Sequence, residues 1–168
     1  IIEEEVLLPS ATVERAYPQF SPDGKELAFI EERNRLMVIN LDTKKVRQIT
    51  DGSTWFSTDG NFDYQWSPDG KWFTLEFIGN RHDPYSDIGL VSAKGDSPIT
   101  NLTNSGYMSG SPRWVLDGNA ILFTTERYGM RAHASWGSQN DAMLVFLNQD
   151  AFDKFRLSKE DYELQKEL

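Results

Sequence analysis

One phrase is spelled twice in this chain: FSPDGKELAFI from Phe20 to Ile30, and WSPDGKWFTLEF from Trp66 to Phe77. A degraded third copy, WVLDGNAILFT, runs from Trp114 to Thr124. The leading aromatics Phe20, Trp66 and Trp114 stand 46 and 48 residues apart. In Ser21-Pro22-Asp23-Gly24 the proline presets φ at the second position of a type I turn, and Gly24 suits the positive φ that follows. Ser67-Pro68-Asp69-Gly70 repeats the design, and Val115-Leu116-Asp117-Gly118 keeps only its second half. The turn aspartates Asp23, Asp69 and Asp117 are expected to accept backbone N–H bonds within their own turns.

Each turn feeds a run rich in β-branched and aromatic residues: Glu26–Ile30, Trp72–Phe77 and Ala120–Thr124. A second run follows each, at Leu36–Ile39, Ile88–Val91 and Ala142–Phe146. A third follows the first two copies, at Val46–Thr50 and around Pro98–Leu102. A period in the forties with four short strands per unit predicts a β-propeller, because a single blade has two apolar faces and hides them only by stacking. The fold expected is therefore all-β: a partial β-propeller of about three four-stranded blades with a short C-terminal helical tail. Residues 1–14 are assigned to the outer strand of a preceding blade and 15–52 to blade one. Blade two takes 53–103, and blade three takes 104–148 with a long insert at 126–140. Residues 149–168 form a helical linker. An antiparallel sandwich is the competing architecture, but it does not usually repeat one turn at a constant offset.

In the tail, Ser158 is placed to cap a helix, with Glu160 and Asp161 in its first turn and Tyr162 packing back on Leu157. Asp150 is read as the cap of a shorter helix ending near Phe155. Propellers have about four to eight blades, so three leave faces and edges open, and the isolated chain is expected to self-associate. The chain opens at Ile1 without Met or a signal-like segment and reads as a piece of something longer.

Composition narrows the function. The net charge of −9 weighs against nucleic acid and against anionic membranes as partners. The absence of cysteine excludes disulfides, thiolate zinc sites and cysteine nucleophiles. No catalytic grouping is recognised: His82 and His133 lack metal-ligand spacing, and no Gly-x-Ser-x-Gly elbow or phosphate-binding loop occurs. No cofactor and no metal are expected. Asp83, Ser86 and Asp87 could offer oxygens to calcium, but their spacing reads better as a hydrogen-bonded loop. The strongest binding candidates lie in the insert: Arg127, Tyr128, Arg131, His133 and Trp136. Arginine and aromatics are the usual anchors of recognition surfaces, and two nearby arginines suit a peptide carboxylate. In the connection DGSTWFSTDGNFDY, Trp55, Phe56, Phe62 and Tyr64 read as wedges between blades.

The aromatic-Ser-Pro-Asp-Gly cassettes, over about Tyr17 to Phe146, resemble the TolB-like propeller repeat. The stretch TERYGMRAHASWGSQNDAMLVFLNQDAFDKFRLSKEDYELQKEL is similar to the propeller region of bacterial tricorn-type proteases. In those enzymes a propeller precedes a PDZ domain and a serine peptidase domain. The resemblance implies an exported, periplasmic peptidase whose catalytic residues lie outside this chain, with the propeller gating or binding peptide substrates or partner proteins. The alternative is a TolB-like periplasmic binding scaffold with no peptidase.

Overall fold

A computed structural model describes residues 4–9, 12–53, 63–79, 84–129 and 138–167. Three antiparallel sheets follow one another along the chain. The first holds β1 (Arg15–Phe20), β2 (Glu26–Glu31), β3 (Arg35–Asn40) and β4 (Val46–Gln48), in that spatial order. The second holds β5 (Tyr64–Trp66), β6 (Trp72–Phe77), β7 (Asp87–Ser92) and β8 (Thr100–Asn101), again in order. The third has three strands, β9 (Ser109–Val115), β10 (Ala120–Thr125) and β11 (Asp141–Phe146), with β10 in the middle. Two helices follow, α1 (Gln149–Phe155) and α2 (Lys159–Glu167). The architecture is a partial β-propeller with a C-terminal helical tail.

The repeated turn explains why β1–β2 and β5–β6 fold alike. Ser21 Oγ donates to Asp23 Oδ1 at 2.7 Å and accepts from Glu26 N at 3.0 Å, while Asp23 Oδ1 also accepts from Lys25 N at 3.1 Å. Ser67, Asp69, Lys71 and Trp72 rebuild the same ring at 2.6, 3.1 and 2.9 Å. Gly24 and Gly70 sit at φ of 70° and 69°, where a side chain would be strained. The Ser21 hydroxyl, then the Lys25 amide, hold the Asp23 carboxyl below its usual range. The third turn is built differently. With no serine hydroxyl at Val115, the chain makes a 3-10 turn over Leu116–Gly118, with Leu116 and Asp117 at φ of 52° and 54°. Proline cannot adopt that φ, so the loss of proline from this copy and the changed hand of its turn belong together. Its closing bond is Asn119 N to Leu116 O at 3.0 Å rather than a bond to Asp117.

The sheets stack face to face. The trailing face of the first sheet (Ala28, Ile30, Leu36, Val38) joins Tyr64, Trp66, Phe73, Leu75 and Val91 of the second in one buried cluster. The other face of the second sheet brings Ile88, Leu90 and Leu102 against Ile121, Phe123, Trp114, Met143 and Val145 of the third. Each fully buried side chain of this size contributes about 1.5–3 kcal/mol. The repeat's aromatic also makes a directional link: Trp66 Nε1 donates to Gln19 O and Trp114 Nε1 to Gln65 O, both at 3.3 Å. Tyr64 is 1% exposed and its hydroxyl donates to Tyr17 O, so it is the wedge its sequence suggests. Trp55, Phe56 and Phe62 lie outside the described residues.

Residues 4–9 and 12–14 pair with no described strand; Glu5 pairs with Lys44 Nζ at 2.7 Å and Pro9 O accepts from Arg15 Nη1 at 3.0 Å. One expectation is corrected. The cap of α1 is Asn148, whose side chain accepts from Ala151 N at 2.8 Å; Asp150 sits inside the first turn. Asparagine in extended backbone three residues before that amide has the reach, and Asp150 is already helical. Ser158 caps α2 through Asp161 N at 3.1 Å.

Candidate functional site

Two of the first strands are bent. β1 and β9 each carry an irregularity, with Tyr17 and Ser111 at φ of 56° and 53° just before Pro18 and Pro112. Such bulges re-aim side chains. The result is a polar seam between the second and third sheets. Arg113 Nη1 donates to Asp63 Oδ2 at 3.0 Å, and Ser111 N approaches Glu76 Oε2 at 3.4 Å. A Cβ at Gly110 would stand 2.8 Å from that same oxygen, so glycine is what lets the carboxylate in. Burial pushes the Glu76 carboxyl above its ordinary range and the Asp63 charge adds to the rise, while the Ser111 amide and the Ser86 hydroxyl oppose it.

A carboxyl raised in this way binds its proton more tightly in the folded than in the unfolded chain. Its contribution is full at pH below the unfolded carboxylate range and is lost as pH rises through the folded value. Glu76→Gln removes that loss: its carbonyl takes the Ser111 amide, and its amide donates to Ser86 Oγ. The expected outcome is a variant more stable than wild type at neutral pH, with the difference shrinking toward acid, read from denaturation midpoints across pH.

The opposite feature of the third sheet is the connection leaving β10. Glu126 is 0% exposed and accepts from Met108 N at 3.2 Å. Around it, Ser86 Oγ donates to Ser109 O at 2.8 Å and Ser109 Oγ bonds Thr125 Oγ1 at 3.2 Å. Asp87, 2% exposed, accepts from Asn101 Nδ2 (2.8 Å), Thr103 Oγ1 (2.6 Å) and Ser105 N (3.0 Å). Both its oxygens are thus engaged by donors, as the hydrogen-bonded reading requires; Asp83 lies outside the described residues, and no cluster of metal-ligating side chains occurs among the described ones. On this base stand Arg127 and Tyr128. Gly129 N bonds Glu126 O and Gln139 N bonds Gly129 O, each at 3.0 Å, clamping the neck of the insert. The Arg127 guanidinium lies 5.6 Å from the Tyr128 ring centroid, and Tyr128 is 73% exposed. Arg131, His133 and Trp136 lie outside the described residues.

At the other end of the third sheet is a cleft of about 930 Å³, walled by Leu116 of the 3-10 turn, Asn119 just after it, Lys154 and Phe155 of α1, Leu157 between the helices and Tyr162 of α2. Neither this cleft nor the Asp63–Glu76–Arg113 seam was anticipated. The available signal for the seam was the Ser111-Pro112 step, which precedes the repeat aromatic Trp114.

Residues 3–78 match the family described as the Dipeptidyl peptidase IV (DPP IV) N-terminal region. Over 119 residues the chain is 29% identical to the uncharacterized peptidase YuxL of Bacillus subtilis (strain 168), covering 68% of this chain and 18% of that protein. Among solved structures, one from a study of two prolyl endopeptidases superposes with a TM-score of 0.63 at 21% identity, covering 88% of this chain and 23% of that one. The tricorn protease gives 0.58 at 14% identity, over 79% and 14%. A putative TolB from Agrobacterium tumefaciens gives 0.53 at 19%, over 83% and 52%. The structural likenesses establish the fold, and the chain spans under a fifth of the curated relative. Together the comparisons describe a propeller-like, peptidase-related region. They do not single out the tricorn kind.

Proposed function

We propose that this chain is a non-catalytic part of the propeller of a serine peptidase, and that it receives peptide at the loop end of the third sheet. The observation that carries the reading is the exposed Arg127–Tyr128 pair held on a buried polar base. A guanidinium already oriented over an aromatic ring loses little freedom on meeting a carboxylate. The relation to YuxL and to the DPP IV N-terminal region supports a peptidase parent over a scaffold. The finer assignment to a tricorn-type enzyme, and with it an exported location, rests on the resemblance of residues 125–168. Phe20 is 66% exposed where Trp66 is 8% exposed, which supports further blades, or a second copy of the chain, packing on the first sheet; a chain that stays monomeric at every concentration removes the second copy.

The test is titration of a labelled peptide with a free C-terminus against its C-terminally amidated form. Arg127→Ala is expected to weaken the free-acid peptide about tenfold, in line with a lost charge-assisted bond, and to leave the amidated one unchanged. Equal affinity for both peptides in wild type and variant, with the fold retained, refutes the reading.

A further inference from the structure

The groove between the first and second sheets is filled by an arginine of the chain itself. Arg47, on β4, donates to both carboxylate oxygens of Glu26 at 2.5 and 2.6 Å, and its Nε reaches across to Ala93 O at 2.8 Å. The groove between the second and third sheets has the same framework. Trp72 opens β6 as Glu26 opens β2. Thr100 pairs with Leu90 as Arg47 pairs with Val38. Leu147 takes the place of Ala93, since their amides bond Asn119 O and Lys71 O, each at 2.9 Å. Threonine is too short to span what Arg47 spans, and the second groove holds a cavity of about 590 Å³. Trp72, Leu90, Trp114 and Leu147 form its apolar walls and Asp69 and Asp117 its acidic ones, and no cation is among the described residues that line it. The Ser67 hydroxyl, ahead of its other contacts, holds the Asp69 carboxyl below the usual range, so that wall is charged at neutral pH. Lys71 Nζ stands 3.5 Å from Asp69 Oδ2, but both side chains are more than half exposed, and such a pair is weak.

We propose that the groove between the second and third sheets binds the side chain of a peptide arginine, its guanidinium taking the place that the Arg47 guanidinium takes in the first groove. Trp72, 42% exposed, offers a ring face where Glu26 offers a carboxylate, and a planar guanidinium stacks on aromatic faces. Leu147 O, the counterpart of Ala93 O, accepts from it, and Asp69 and Asp117 supply the opposite charge. The chain's own arginine is removed at Thr100 while the backbone acceptor, the aromatic wall and the carboxylates are kept, and that combination is what a site for an arginine from outside requires. Every wall belongs to the second and third sheets or to the residues bordering their strands, so the groove is complete within the chain.

The probe is N-acetyl-arginine amide, titrated into the isotopically labelled 168-residue chain and followed through the indole N–H signals of Trp72 and Trp114. Its capped ends offer Arg127 no carboxylate, so the readout is separate from the loop end. Saturable change at both indoles is expected, and the neutral isostere N-acetyl-citrulline amide is expected to bind about tenfold more weakly. Thr100→Arg supplies the missing side chain from within; it is expected to shift the Trp72 indole by itself and to abolish binding of the probe, with the β signature of the circular dichroism unchanged. Trp72→Ala, at a half-exposed position, is expected to weaken binding about tenfold, read at Trp114. Should Thr100→Arg misfold, Trp72→Ala and the citrulline analogue on wild type decide the matter. No saturable change at the indoles, equal binding of the citrulline analogue, or undiminished binding in a folded Thr100→Arg or Trp72→Ala chain overturns the proposal.

Discussion

Replacing Phe73 with alanine is expected to lower the stability of the chain by about 3–5 kcal/mol. Phe73 is 0% exposed, and its ring lies 4.1 Å from that of Trp66 and 6.0 Å from that of Tyr64, centroid to centroid. It stands on β6 facing the first sheet, so its removal leaves a cavity at the joint between two blades. The Trp66 indole loses the surface that holds it toward Gln19 O, and the directional link weakens with the packing. Total stabilities of domains are only about 5–15 kcal/mol, so the variant stands near the edge of folding. Phe73→Leu, which keeps most of the volume, is expected to cost under about 1.5 kcal/mol. Urea denaturation followed by tryptophan fluorescence measures both. A loss below about 1 kcal/mol for the alanine variant, well under the range for such truncations, means that the two sheets do not depend on this contact.

Asp87→Ala is the second large effect, with an expected loss of about 3 kcal/mol. Three donors from Asn101, Thr103 and Ser105 converge on this carboxylate. Truncation leaves them in a site that water barely reaches, and unsatisfied buried donors are costly. Asp87→Asn keeps the shape but exchanges an acceptor for a donor that faces other donors, so it is expected to recover little. The local signature is as informative as the midpoint: the Ser105 amide should lose its protection from hydrogen exchange, and so should Leu102, whose amide bonds Ile88 O at 2.8 Å. Full protection at both positions in a folded Asp87→Ala variant contradicts this account.

The contrast between the three turns explains how much of the fold could be read from residues. Ser21, Asp23 and Gly24 lie within four positions of one another, and their bonds close a ring that needs nothing from the rest of the chain. Where Val115 and Leu116 replace serine and proline, the letters still announce a turn, but its hand depends on Leu116 adopting φ of 52°. The insert was legible as a candidate from its arginines and aromatics. The burial of Glu126 beneath it was not, because Met108 stands 18 residues away in sequence.

The cassettes by themselves determined the β class, the order of strands along the chain, the placement of turns and the caps that begin the final helix, since each rests on bonds between residues a few positions apart. Tertiary structure alone decided which faces meet and how Asp63, Glu76 and Arg113 gather at one seam. Those outcomes come from stacking residues 47 to 50 positions apart in sequence, where burial and charge pairing between whole sheets, rather than local backbone preference, set the energy.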